Sequence, residues 1–176
     1  FDRGILWTYG YNHEEAVTCF EHAIDADPEC AMAHWGAGYA SGPNYNMPWD
    51  LFDYAGRVAA AQAGYAHARK ALDLIDGVTG WEAALIHALP ARHPQPDPLD
   101  PKAMKAWNAD FADAMRDVFA AHPESHEVRT VFAESLLNLT PWKMWDLASG
   151  QPAAGARTFE VQTVLEEALE GDPSAM

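Results

Sequence analysis

Cysteine is scarce in this chain. Cys19 and Cys30 are too few for a disulfide framework, and no CxxC pair occurs. Cys19 falls inside a helical pattern, which sits badly with the geometry of a bridge to Cys30. Both read as reduced thiols of an intracellular, cytoplasmic protein. Positive charge is scarce too, with 11 Lys and Arg against 26 Asp and Glu, a formal net charge of −15. Phosphate neutralisation needs Lys/Arg clusters, so the balance counts against nucleic acid and against anionic membrane surfaces. It fits basic partners or cations, or simply solubility. No apolar run approaches the length of a membrane span, and no signal-peptide pattern is visible. There is no Gly-rich phosphate loop and no GxSxG, and Ser41, Ser125 and Ser135 have no evident triad.

Alternating β-branched runs are also missing. What is present is a helical period, with apolar residues recurring at three and four. The pattern predicts helices over about 1–10, from Asn12 to Asp27, from Pro28 to about 40, over 51–75, 81–89, 102–121 and 126–139, and over 157–170. Asn12 with Glu15 forms a capping-box pair. Pro28 suits a first helical turn. "TPWKMWDL" predicts another short helix, capped by Thr140 with Pro141 behind it. Residues 41–50 and the proline-rich 90–101 read as insertions, the second a stiff extended connection.

A repeat underlies this order. Ala16, Phe20, Ala23 and Pro28 follow spacings of four, three and five, which resembles the second helix of a tetratricopeptide repeat. Val161, Leu165, Ala168 and Pro173 repeat the pattern. Gly4 and Gly38 stand one 34-residue repeat apart. Small residues permit close helix approach and a bulky one fills the gap.

The strings "YGYNHEEAVTCFEHAIDADPECAMAHWGAGYASGPNYN" (9–46) and "VFAESLLNLTPWKMWDL" (131–147) carry a closer resemblance. They resemble the large tetratricopeptide-domain proteins of bacteria and fungi with NHxEA, CAMAxWG, GPNxN and FAEaLxxLxPWxxW strings. The resemblance covers nearly the whole chain and implies an N-terminal portion of a longer array. It implies a fold more than an activity. The chain opens at Phe1 in helical sequence and closes where a new element is expected. The expectation is therefore a segment that associates with the remainder of a longer chain or with its own copies.

Three groups of residues can carry chemistry. Cys30 and His34 lie four apart, a spacing that suits two ligands of Zn²⁺ or Cu, with His13 as a third. Alternatively, Cys30 is a small buried residue and His34 packs on a neighbouring hairpin. Glu134 lies in an apolar helix between Phe132 and Leu136. If buried it must be paired, and it can serve as general base or ligand; otherwise it is exposed or bonds a helix end. Trp35, Tyr39 and Tyr45 can line a concave surface on which Asn44 and Asn46 offer hydrogen bonds, or the asparagines close their own turn. Trp142 and Trp145 extend the aromatic set, or fill the core as most of the seven tryptophans do.

The sequence thus predicts an all-α fold, a degenerate stack of antiparallel tetratricopeptide-like hairpins (an α-solenoid) over residues 1–176. Residues 1–40 are its best-formed repeat and 157–173 its terminal repeat helix. The expected function is a binding or scaffold domain that presents a concave groove to a protein or peptide. The competing expectation is a metal- or small-molecule-binding enzyme of specialised metabolism, with a pocket around His13, Cys30, His34, Asn44, Asn46 and Glu134. No reaction is legible.

Overall fold

A computed structural model describes residues 1–171. The chain is all-α in class, with eight helices among the described residues: α1 Asp2–Tyr9, α2 His13–Ala26, α3 Ala31–Ser41, α4 Tyr54–Asp73, α5 Gly80–Arg92, α6 Pro101–Ala121, α7 His126–Leu137 and α8 Thr158–Gly171. Each helix packs against the next in sequence, and α3 also touches α1 and α5. No helix among the described residues is long and apolar enough to cross a membrane.

Caps set the boundaries. The Asn12 side chain accepts from Glu15 N at 3.3 Å and starts α2. Asp53 accepts from Gly56 N, Asp100 from Lys102 N and Ala103 N, and Ser125 from Val128 N. Each of these satisfies an amide that the first helical turn leaves free.

Four expected boundaries move. The helix expected over 51–75 starts only at Tyr54, behind the Asp53 cap, because Trp49–Leu51 forms a 3₁₀ turn. Pro28 lies in a turn and not in a helix; Cys30 is the N-cap and α3 starts at Ala31. The connection expected from residue 90 begins only after Arg92, because α5 runs through Pro90. A proline in the last turn removes one backbone bond, while Arg92 and His93 beyond it are anchored in the core. "TPWKMWDL" is not a helix. Lys143 N closes a turn on Thr140 O, Trp142 adopts a left-handed φ of 58°, and Trp145–Asp146 (β1) pairs antiparallel with Gln151–Pro152 (β2). Thr140 therefore caps nothing.

The main core gathers Trp35 and Tyr39 of α3, Leu85 and Leu89 of α5, Phe111 and Met115 of α6, and Phe132 and Leu136 of α7. Every residue of α3 from Ala31 to Ala40 is buried. A second cluster, Phe20 with Ala16, Ala37 and Ala40, joins α2 to α3. A third seats Trp49, in a single 3₁₀ turn at Trp49–Leu51, against Met104 and Trp107 of α6. The long connection after α3 is thus packed down and not free.

Glycine sets the close approaches. A Cβ at Gly4 would lie 2.7 Å from the Phe20 ring, and one at Gly36 would also run into that ring. A Cβ at Gly38 would lie 3.2 Å from His67 Cβ and 3.4 Å from Ala68 N, both on α4. In α8 the buried stripe is Val161 and Val164, while Leu165 of the expected repeat pattern is 41% exposed. Pro173 of that pattern lies outside the described residues.

Candidate functional site

The side chain of Tyr39 leaves the buried face of α3 and crosses to α7. Its hydroxyl donates to Glu134 Oε2 at 2.8 Å. One turn further along α7, Asn138 Nδ2 donates to both Glu134 oxygens at 2.7 Å. Asn138 is itself held by Asn108 of α6, whose Nδ2 donates to the Asn138 carbonyl at 3.3 Å. Glu134 is half-buried, and both its oxygens are occupied.

A recess of ≈190 Å³ opens beside this pair. Tyr9 and Tyr11, at the end of α1 and in the turn after it, line it together with His13 of α2, Tyr39 and Glu134. The Tyr11 and His13 rings stack at 6.5 Å, and His13 meets Tyr39 at 6.4 Å. His13 Nδ1 lies 3.1 Å from the Ala40 carbonyl. Burial, and then the positive charge of Arg92, push the His13 pKa down to about 4, so the ring is neutral at pH 7. Tyr9 and Tyr11 are each raised to about 12, by burial first and then by the charges of Glu127 and Glu134 respectively. Tyr39 is raised well above its usual range by burial, with Glu134 next. Every tyrosine of the recess is therefore a neutral phenol.

Behind Tyr39 lies Arg92, 1% exposed. Its guanidinium stands 4.6 Å from the Tyr39 centroid and 5.0 Å from that of Phe111, and donates through Nη2 to the Pro43 carbonyl. No carboxylate among the described residues forms an ion pair with it, and its Nε and Nη1 have no partner. Each ring face under the guanidinium contributes about 0.5–2 kcal/mol, which offsets part of the cost of burying the charge. His93, fully buried, meets the Gly38 carbonyl at 3.0 Å and is pushed down to about 3 by burial and then by Arg92.

The 42–46 loop closes largely on itself. Asn44 Oδ1 accepts from Asn46 N at 2.8 Å and Met47 N at 2.9 Å, the asparagine turn that competed with ligand binding in the sequence. Asn46 is exposed and Tyr45 half-buried. Asn44 and His13 do border one cleft, ≈450 Å³ in volume.

Trp35, Tyr39 and Tyr45 are not brought to one concave wall. Trp35 is buried, donates to the Leu85 carbonyl at 3.1 Å, and stacks on Tyr39 at 5.2 Å. It borders a different recess, next to α1 and Trp81. Trp145 packs edge-on against Phe159, away from Trp35 in the core. Trp142 is 55% exposed and borders a cavity of ≈510 Å³ with Trp49, Asn108 and Asn138.

The proposed metal set does not assemble. Among the described residues no three His, Cys, Asp or Glu side chains come together as a metal site. Cys30 caps α3 and packs on the main core, and both cysteines are free thiols. His34 turns to α4, its Nδ1 3.1 Å from His67 Nδ1 and its Nε2 3.3 Å from the Pro28 carbonyl. A hydrogen bond between the two Nδ1 atoms needs one ring to donate and the other to accept, so at least one of the two rings is neutral. Burial lowers the pKa of both, which favours the neutral forms.

Sequence reasoning missed Arg92, His93 and Asn138. For Arg92 a signal existed: it stands seven residues after Leu85 and three after Leu89, on the buried stripe of α5. Compared with protein-family models, curated proteins and solved structures, the chain matches none, so its function is argued from these residues.

Proposed function

We propose that the chain is a tetratricopeptide-like binding module, and that it receives a basic side chain of a protein or peptide partner in the recess between α1, α2, α3 and α7. One observation carries the second half. The recess is walled by three neutral phenols and a neutral imidazole, has a single carboxylate, Glu134, and includes no Lys or Arg in its lining. An ammonium or guanidinium is attracted to such ring faces and to a carboxylate together. Arg92 opposes it from behind Tyr39: at the Tyr39 hydroxyl the pull of Glu134 is the larger of the two, while at His13 the charge that acts is that of Arg92. The net charge of −15 draws a basic partner from a distance.

The repeat reading rests on the glycines. Gly4 of α1 lies against Phe20 of α2, and Gly38 of α3 lies against α4. Two successive hairpins thus use a glycine of the first helix at the same place, with the 41–50 connection as an insertion in the second. The test is calorimetric titration with a lysine-containing peptide and its norleucine counterpart. Binding of the first alone, weakened about tenfold in Glu134→Gln and by added salt, supports the reading. Equal binding of both peptides, or of neither, rejects it.

A further inference from the structure

The recess at Glu134 is one end of a longer groove. A second recess, ≈310 Å³ in volume, adjoins it and shares Tyr9 and Val131 with it. Three helices line both, each with a stripe at helical spacing. On α1 the stripe is Asp2, Leu6 and Tyr9, and on α3 it is Met32, Trp35 and Tyr39. On α7 it is Glu127, Val131 and Glu134. In each stripe the first residue lines only the second recess and the last reaches the recess at Glu134. The three helices therefore run in the same sense along the groove, over about 10 Å of helix axis. The α3 residues are buried, whereas Asp2, Leu6, Tyr9 and Glu127 are exposed. Hence α3 is the base of the groove, and α1 and the Glu127 end of α7 are its rims.

The second recess differs in chemistry from the first. Leu6, Met32, Trp35, Trp81 and Leu85 make it mainly apolar. Leu6 is 70% exposed and Tyr9 41%, and large apolar side chains gathered in the open at a cleft mark an interaction site. Charge selects what covers it. Asp2 and Glu127 line this end, Glu134 lines the other, and no Lys or Arg lines either recess. An acidic segment is repelled by that arrangement. So is a second copy of the chain, at −15 against −15. A segment that joins an apolar side chain to a basic one matches both ends.

The spacing of the recesses fixes the spacing of the two side chains. Along α7 one recess lies between Glu127 and Val131, and the other from Val131 past Glu134 to Leu137. Their middles are one to one and a half helical turns apart, roughly 5–8 Å. In an extended chain, side chains two residues apart point to the same side, with about 6.7 Å between them. One such step carries a peptide from the first recess into the second.

We propose that the groove binds an extended partner segment in which a bulky apolar side chain stands two residues from the basic one. The apolar side chain enters between Leu6, Met32 and Trp35, while the basic side chain meets Glu134. This rests on the reading of the Glu134 recess given above and adds a second anchor to it.

The test uses three short capped peptides, each made in both chain directions: Phe-Ser-Lys, Ala-Ser-Lys and Phe-Ser-norleucine. Affinities are read by calorimetry, and the Leu6 methyl resonances are followed in the ¹³C-labelled full chain. Replacing the peptide's Phe by Ala is expected to weaken binding about tenfold or more, in at least one direction. The bound Phe ring is expected to shift the Leu6 methyls. Leu6→Ala, at an exposed site, is expected to narrow the Phe-to-Ala difference to less than about threefold, the coupling of a double-mutant cycle. Equal binding of the Phe and Ala peptides, with the preference for Lys over norleucine intact, overturns this inference and leaves the Glu134 reading standing. Equal binding of the Lys and norleucine peptides, or binding of none, rejects the Glu134 reading and this inference with it. Leu6 shifts that follow protein concentration without peptide place a second copy in the groove and also overturn it.

Discussion

Tyr39 and Glu134 meet across 95 positions of chain, the phenol hydroxyl of one donating to the carboxylate of the other at 2.8 Å. The bond ties α3, the buried centre of the molecule, to α7. Removing the donor with Tyr39→Phe leaves Glu134 still held by Asn138. The expected loss is about 1–2 kcal/mol, read from the midpoint of urea unfolding. Glu134→Ala is expected to cost more, because it strands the buried Tyr39 hydroxyl and the Asn138 amide without an acceptor.

The stability of the fold depends on pH through two histidines. His13 and His93 have pKa values of about 4 and about 3, against an ordinary 6.5. Below pH 6.5 the unfolded chain takes up protons that the folded one does not. Stability therefore rises with pH across that window. The contribution is complete above pH 6.5 and is lost as the pH falls from there towards 4 and then 3. Between pH 6.5 and 5, where most carboxylates stay ionised, the unfolding midpoint is expected to fall. His93→Gln is expected to flatten that slope.

Arg92 can be separated into charge and shape. Arg92→Met removes the positive charge that lowers both His13 and His93. The His13 pKa, followed by its imidazole NMR shifts, is expected to move up from about 4. Arg92→Lys keeps the charge but loses the flat guanidinium stacked on Tyr39 and Phe111. It is expected to destabilise the protein and leave the His13 pKa low.

Phe20 is gripped by glycines from two helices, Gly4 and Gly36. Alanine is the better helix former by about 1 kcal/mol, so Gly36→Ala would stabilise an open helix. Here the added methyl meets the ring, and overpacking costs about 1–3 kcal/mol. Gly36→Ala is expected to lower the melting temperature. Phe20→Leu placed in the Gly36→Ala background is expected to cost less than the same change in the parent, a coupling that a double-mutant cycle reads directly.

The start of α2 was legible in the Asn12 and Glu15 pair, and the apolar periods placed the starts of α6 and α7 within a residue of where Pro101 and His126 begin them. The errors fell where local signals were overruled by distant contacts. Pro90 read as the end of a helix, but Arg92 and His93 bind carbonyls at Pro43 and Gly38, far back in the chain. Thr140-Pro141 read as a helix start, but the strand pair at Trp145 and Gln151 claims the following backbone. Of the candidate site, His13, Tyr39 and Glu134 were named from sequence and do share a recess. Cys30 and His34 were linked by helical spacing, yet Cys30 is the cap and not part of the helix, so the spacing argument had no helix to act on. Asn138 carried no signal, because its hold on Glu134 is a property of three-dimensional packing and not of residue type.

Residues 31–40 of α3 are all buried, and this has a consequence for how the sequence can vary. An amphipathic helix tolerates change in a rhythm, permissive on its wet side and strict on its dry one. A helix with no wet side has no such rhythm. A saturation scan is expected to find an unbroken ten-residue floor across α3, against a 3.6-residue oscillation along α6, whose buried residues alternate with exposed ones. Drift in this protein is thereby channelled into its outer helices and loops, while "AMAHWGAGYA" changes only in concert with its neighbours.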